Sequence, residues 1–153
     1  MYTHGGVDKT HNMKSKFTKI ILMLVVNNIP YVIACFLQDS TYWFNGFLLN
    51  PTDGFTYLSK MQIGLMGNWK FLLLYSPPGG EGAYLFTFYV LLGHVSRLFN
   101  VPPIWVFHVV RLITSILFLL SLDQLCRWFF LNKELAGKAW LLAATGSGMG
   151  WMF

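Results

Sequence analysis

Polar and apolar positions along the chain fall into blocks rather than an even mixture. Residues 1–19 are polar and basic, with Gly5-Gly6 and few apolar side chains, which predicts a disordered tail. From Ile20 to Gln38 no residue is charged, and about 19 residues suffice for a helix to cross the hydrocarbon core. Asn27, Asn28 and Pro30 lie inside that run. The proline predicts a kink, and the asparagines require partners, most simply on a neighbouring helix. Residues 39–82 then turn polar, with Asn, Pro and Gly clusters and the acids Asp39, Asp53 and Glu81. Apolar runs resume at 83–99 and 103–126, separated by Asn100-Val101-Pro102-Pro103, with Pro103 suited to a first helical turn. Arg127, Lys133 and Lys138 precede a last apolar run over 139–153.

Within the polar block, Phe55, Leu58, Met61, Leu65 and Trp69 recur at steps of three and four, and Met66 joins their face. Ser59, Lys60, Gly64, Gly67 and Asn68 fall opposite. This pattern predicts an amphipathic helix lying flat in a membrane interface, weakened by its glycines.

Composition sharpens the picture. Hydrophobic residues make up 55% of the chain and charged residues 11%, too little polar surface to cover a soluble fold of this length. The expected fold is therefore all-α: a polytopic transmembrane helical bundle, with spans at 20–38, 83–99, 103–126 and 139–153. The external loop 39–82 carries the interfacial helix. The bilayer is the expected partner and the cell membrane the expected location.

The formal charge of +5 is not arranged as a nucleic-acid patch, and no nucleic-acid partner is expected. Lys9, Lys14, Lys16 and Lys19 crowd the first block and predict a cytoplasmic N-terminus, with 39–82 on the other side. If 83–99 and 103–126 each cross once, the cluster at 127–138 falls outside, against the positive-inside tendency. The alternative is that one short segment, such as 83–99, dips without crossing. Cys35 and Cys126 form no disulfide framework or metal spacing and read as small hydrophobes in helices. A basic stretch before an apolar run also describes a signal peptide, but the strongly apolar sequence downstream argues against one. The chain stops within an uncharged run, which predicts the N-terminal part of a longer protein.

Five residues are candidates for chemistry. Asp53 sits just before the amphipathic helix, as an N-cap or as a carboxylate facing a substrate at the membrane surface. Glu81 is the second loop acid, either a solvated charge or a partner of Asp53 in holding a divalent cation or orienting an acceptor hydroxyl. Arg111 lies about 12 Å into its helix, where a charge is costly and faces a bundle or cavity. His108 shares its face, as does Ser115. Arg111 reads as a snorkelling or carbonyl-bonding side chain, or as an anion-binding group for a lipid phosphate. Lys60 is the fifth candidate; it and Lys70 are solvated surface charges or attractors of phosphate headgroups. Gly146-Ser147-Gly148-Met149-Gly150 lacks the Lys-Ser/Thr of a phosphate loop and suits close helix packing instead.

The order of these parts resembles the GT-C superfamily of polytopic glycosyltransferases, which includes the protein O-mannosyltransferases and the bacterial aminoarabinose transferases. Asp53-Gly54-Phe55-Thr56-Tyr57-Leu58-Ser59-Lys60-Met61 is similar to the loop that carries their acidic motif. Tyr89-Val90-Leu91-Leu92-Gly93-His94 and Val109-Val110-Arg111-Leu112-Ile113 are similar to their second and third membrane segments. The Asp-Glu pair frequent in that family is Asp53-Gly54 here, and its His-Pro-Pro is Ser76-Pro77-Pro78. The resemblance covers about residues 17–153 and implies a sugar donor on a polyprenyl phosphate. It implies Asp53 as the base that takes a proton from an acceptor hydroxyl at the non-cytoplasmic face. A full enzyme of this kind has many more spans, so this chain alone is expected to be inactive. The competing expectation is a non-catalytic multi-pass membrane protein, a transporter piece or an assembly subunit, suggested by Arg111 and His108 inside a span.

Overall fold

Among the described residues the chain forms five helices: α1 (Gly5–Phe36), α2 (Pro51–Leu65), α3 (Thr87–Phe99), α4 (Pro103–Phe129) and α5 (Lys133–Thr145). The computed structural model describes residues 5–41, 44–48, 50–72 and 81–146, with side chains from residue 16 onward. No strand occurs among these residues; one isolated antiparallel bridge joins Phe71 and Ala83. The backbone is helical from Gly5, where a disordered tail over 1–19 was expected. The side chains of Lys9 and Lys14, the Ser76-Pro77-Pro78 motif and Ser147 to Phe153 lie outside the described residues.

Among the described residues, two helices are long and apolar enough to cross a membrane: Lys16–Phe36 within α1, and Pro103–Phe129. Only 11% of each apolar window is buried. A core helix of a soluble protein would hide most of such a window, so these two helices are compatible with a membrane protein. Helix α3 has 13 residues, roughly 20 Å at 1.5 Å per residue, against a hydrocarbon core of about 30 Å. Helix α5 also has 13 residues and begins at Lys133, ahead of the expected start at 139.

The chain divides into two compact units, one of Met1–Ile29 with Leu112–Phe153 and one of Pro30–Arg111. In the first, Ile20 and Met23 of α1 share a buried cluster with Leu119 and Cys126 of α4 and Trp140 of α5. The Trp140 indole N–H donates to the Leu119 carbonyl at 3.2 Å, so its polar edge is satisfied inside the cluster. Lys16 pairs with Asp123 at 2.8 Å, and Arg127 grips the same carboxylate through Nε at 2.9 Å and Nη2 at 3.2 Å. The polar end of α1 thus meets the C-terminal end of α4. Asn28 donates to the Leu24 carbonyl of its own helix at 2.7 Å, one turn back; the asparagine expected to bridge helices makes this bond within α1.

The uncharged stretch of α4 between Arg111 and Asp123 is only about 11 residues, roughly 18 Å. Asp123 thus stands close to an apolar stretch, where a carboxylate is retained at least cost when cations pair with it. Its side chain is 15% exposed, and Arg127's 44%. Asp123→Ala is expected to strand two cations and cost about 1–2 kcal/mol, the more exposed arginine contributing least. Thermal unfolding in detergent measures this, and an unchanged midpoint would mean the cluster contributes nothing to stability.

The second unit is organised by α2 and α3. A Cβ at Gly64 would fall 1.9 Å from the Val90 carbonyl oxygen, and one at Gly93 would fall 1.9 Å from that of Met61. The two backbones touch because neither glycine has a side chain, the close approach that small residues allow between membrane helices. Met61 and Val90 are fully buried there, and Leu92 and Val106 complete the core. Gly64 accordingly lies on the buried face, not the polar one expected of it, while Phe55, Trp69 and Met66 are exposed. Asn100, in the left-handed region at φ 52°, closes α3, and Val101 N–H bonds back to the Ser96 carbonyl at 3.0 Å. The fully buried Ser96 hydroxyl donates to the Val101 carbonyl, so the chain turns directly into Pro103 and α4.

Candidate functional site

Helix α2 starts with Pro51, whose fixed φ suits the first turn, so the cap falls on the residue before it. Asn50, at φ 45°, is that cap, and Asp53 stands within the first turn. The N-cap expected at Asp53 is thus shifted to Asn50. The Asp53 N–H bonds to the Asn50 carbonyl at 3.1 Å, and the Asn50 side-chain amide donates to Asp53 Oδ2 at 2.5 Å. The result is an exposed carboxylate with one oxygen held, at the positive end of a helix locked onto α3.

The next residue, Gly54, is buried against the Phe47 ring, which a Cβ would meet at 2.3 Å. Phe47 opens an aromatic cluster. Its ring centroid lies 5.5 Å from Phe107 and 6.2 Å from His108. His108 bonds the backbone of Gly46, and its Nδ1 is buried without a hydrogen-bond partner among the described residues. Tyr31 packs edge-on to His108 at 5.7 Å, and the Arg111 guanidinium lies 3.8 Å from the Tyr31 ring centroid. The arginine expected to be costly in lipid is therefore set against the face of an aromatic ring, which attracts a cation most strongly when water is excluded.

Lys60, two turns beyond Asp53, is half-buried rather than freely solvated. Its ammonium sits 3.9 Å from the Phe86 ring centroid, 5.3 Å from Tyr57 and 5.8 Å from Tyr89. Tyr57 and Tyr89 stack at 4.8 Å across the α2–α3 contact. Phe86 holds φ 54°, costly for a bulky residue. Its ring is pinned by Lys60 on one side and by Phe71 at 5.1 Å. Phe71 in turn pairs with Ala83 through backbone bonds of 2.8 and 3.0 Å. Glu81 is exposed just outside that bridge.

All five candidates belong to the unit Pro30–Arg111. The fold links Asp53, through Gly54 and Phe47, to His108, with Arg111 one turn further along α4. It does not gather the acids into a cage: no group of three or more His, Cys, Asp or Glu side chains suited to a metal ion occurs among the described residues. Asp123, the hub of the first unit's ion pairs, was not singled out from sequence. Two signals marked it: it is an acid inside an apolar run, and Arg127 follows at i+4. Compared with protein-family models, curated proteins and solved structures, the chain matches none of them.

Proposed function

We propose that this chain is the membrane-inserted N-terminal part of a glycosyltransferase, with α1 and α4 crossing the bilayer and Asp53 presented at the non-cytoplasmic face. The observation that carries this reading is the Asp53 carboxylate, exposed yet held by Asn50 at the head of a helix that cannot shift on α3. A base must be oriented before it is useful. In the proposed reaction the acceptor hydroxyl gives its proton to Asp53 as its oxygen bonds to the anomeric carbon. The bond from that carbon to the phosphate breaks, and the electron pair leaves with the polyprenyl phosphate. Lys60, fixed among its aromatic rings, offsets the charge that develops on the leaving phosphate.

The same reading resolves the charge conflict. Lys16 and Lys19 share one end of the first unit with Arg127 and Lys133. If α1 and α4 are the crossings, all four lie on the cytoplasmic side, as the positive-inside tendency requires. Helix α3 then pairs with α2 without crossing.

Two experiments test this. Single cysteines at Gln62 and Lys138, in a cysteine-free background, are expected to react differently with an impermeant thiol reagent. The Gln62 site should label in intact cells and the Lys138 site only after permeabilisation; the reverse pattern would overturn the orientation. Sugar transfer from a polyprenyl-phosphate donor, assayed in the full-length protein, should be lost in Asp53→Asn. A second reading, a non-catalytic membrane subunit, is favoured by one observation: Arg111 is already engaged with Tyr31. Transfer that survives Asp53→Asn would favour it.

A further inference from the structure

The first unit contains a cavity of about 290 Å³, near the lower bound of about 300–1,000 Å³ for small-molecule sites. Four cations line it: Lys16, Lys19, Arg127 and Lys133. One carboxylate, Asp123, faces them and is shared by Lys16 and Arg127. Lys19 and Lys133 form no ion pair among the described residues. Among the described residues, the cavity therefore carries a surplus of positive charge that no carboxylate compensates. Its remaining wall is apolar: Phe130 and Leu131 are exposed along it, with the buried Ile20 and Trp140 behind. Gly137 leaves room within it: the place a Cβ would take is 3.9 Å from Lys19 Nζ.

Two properties separate this feature from a simple topogenic charge cluster. Orientation needs only basic residues on one side of the membrane, not a cavity with an apolar wall. The cavity also lies where the apolar window of α1 begins, at Lys16, and where α4 ends, at Phe129. That is the level of lipid headgroups, where basic pockets beside membrane helices take anionic ones.

We propose that this cavity binds a phosphate group, supplied by an anionic phospholipid whose acyl chains run beside the exposed side chains of Phe130 and Leu131. The lipid source rests on the reading that α1 and α4 cross a bilayer; the phosphate chemistry does not. Lys19 and Lys133 contact the phosphate, and Asp123 holds Lys16 and Arg127 in place behind it.

The test titrates the purified protein in detergent with phosphatidylglycerol, phosphatidylcholine or inorganic phosphate, reading bound ligand by native mass spectrometry. Phosphatidylglycerol is expected to bind in preference to phosphatidylcholine. Lys19→Gln with Lys133→Gln should weaken that binding by about 5-fold per lysine, about 25-fold together. Lys19→Arg with Lys133→Arg should keep it within a few-fold, which separates lost charge from a misfolded chain. Equal binding of both lipids, or an equal loss from Lys70→Gln in the other unit, would overturn the proposal. Inorganic phosphate bound through the same two lysines without phosphatidylglycerol would keep the site and assign it a soluble ligand. Flotation with phosphatidylcholine vesicles separates the two readings. A chain that floats but ignores phosphate in every form loses the site and keeps the membrane; one that binds phosphate but never floats does the reverse.

Discussion

Gly93→Val is expected to force α2 off α3 and to cost about 3 kcal/mol or more, combining overpacking with lost burial. The obstacle is backbone: the Met61 carbonyl oxygen 1.9 Å and the Gly64 Cα 2.9 Å from the new Cβ. Neither can rotate away as a side chain would, so the helices must separate and uncover Met61 and Val90, both fully buried. The sign of smaller changes at the contact is equally diagnostic. In an exposed helix Gly→Ala is worth up to about 1 kcal/mol of stability. Gly64→Ala is nonetheless expected to destabilise, because its Cβ would sit 1.9 Å from the Val90 oxygen. Gly137→Ala, whose only neighbour is the end of a lysine at 3.9 Å, should be neutral or stabilising. Hydrogen exchange over 51–65, with thermal unfolding in detergent, reads all three variants. Unchanged protection of α2 in Gly93→Val would show that the two helices do not meet through these glycines.

Asp53→Asn is expected to lower sugar transfer by about 10²–10⁴-fold, the range that proton transfer by a positioned base contributes. The substitution preserves shape, and the amide oxygen it introduces still accepts from the Asn50 side chain, so helix α2 keeps its start. What is lost is the capacity to take a proton from the acceptor hydroxyl, which a carboxylate has and an amide lacks. The thermal midpoint should stay where it is while the rate collapses. Gln62→Ala, an exposed change on the same helix, should leave both alone. A rate within a few-fold of wild type in Asp53→Asn would remove the carboxylate from the chemistry.

Much of the helical layout was readable from the order of residues. A run without charge from Ile20 to Gln38 has few alternatives to an apolar helix, and α1 ends at Phe36. The Pro102-Pro103 break likewise marks the start of α4, because proline at the first turn gives up no helical hydrogen bond. The amphipathic stretch was visible too, but its orientation was not. Periodicity counts side chains, and the residues that decide how α2 packs are glycines, which have none. Lys60 was misjudged for a related reason. Its partners Phe86 and Tyr89 are distant in sequence and come within reach only once α3 folds back on α2.

The sequence by itself determined an apolar, helical chain and an acid at the head of α2, because each depends on neighbours within a few turns. Only the tertiary structure decided that Gly64 and Gly93 join two backbones, that Asp123 gathers Lys16 and Arg127, and that a basic cavity lies at one end of the long helices. Those are contacts between residues far apart along the chain, and no local pattern of hydrophobic and polar positions encodes which of them will meet.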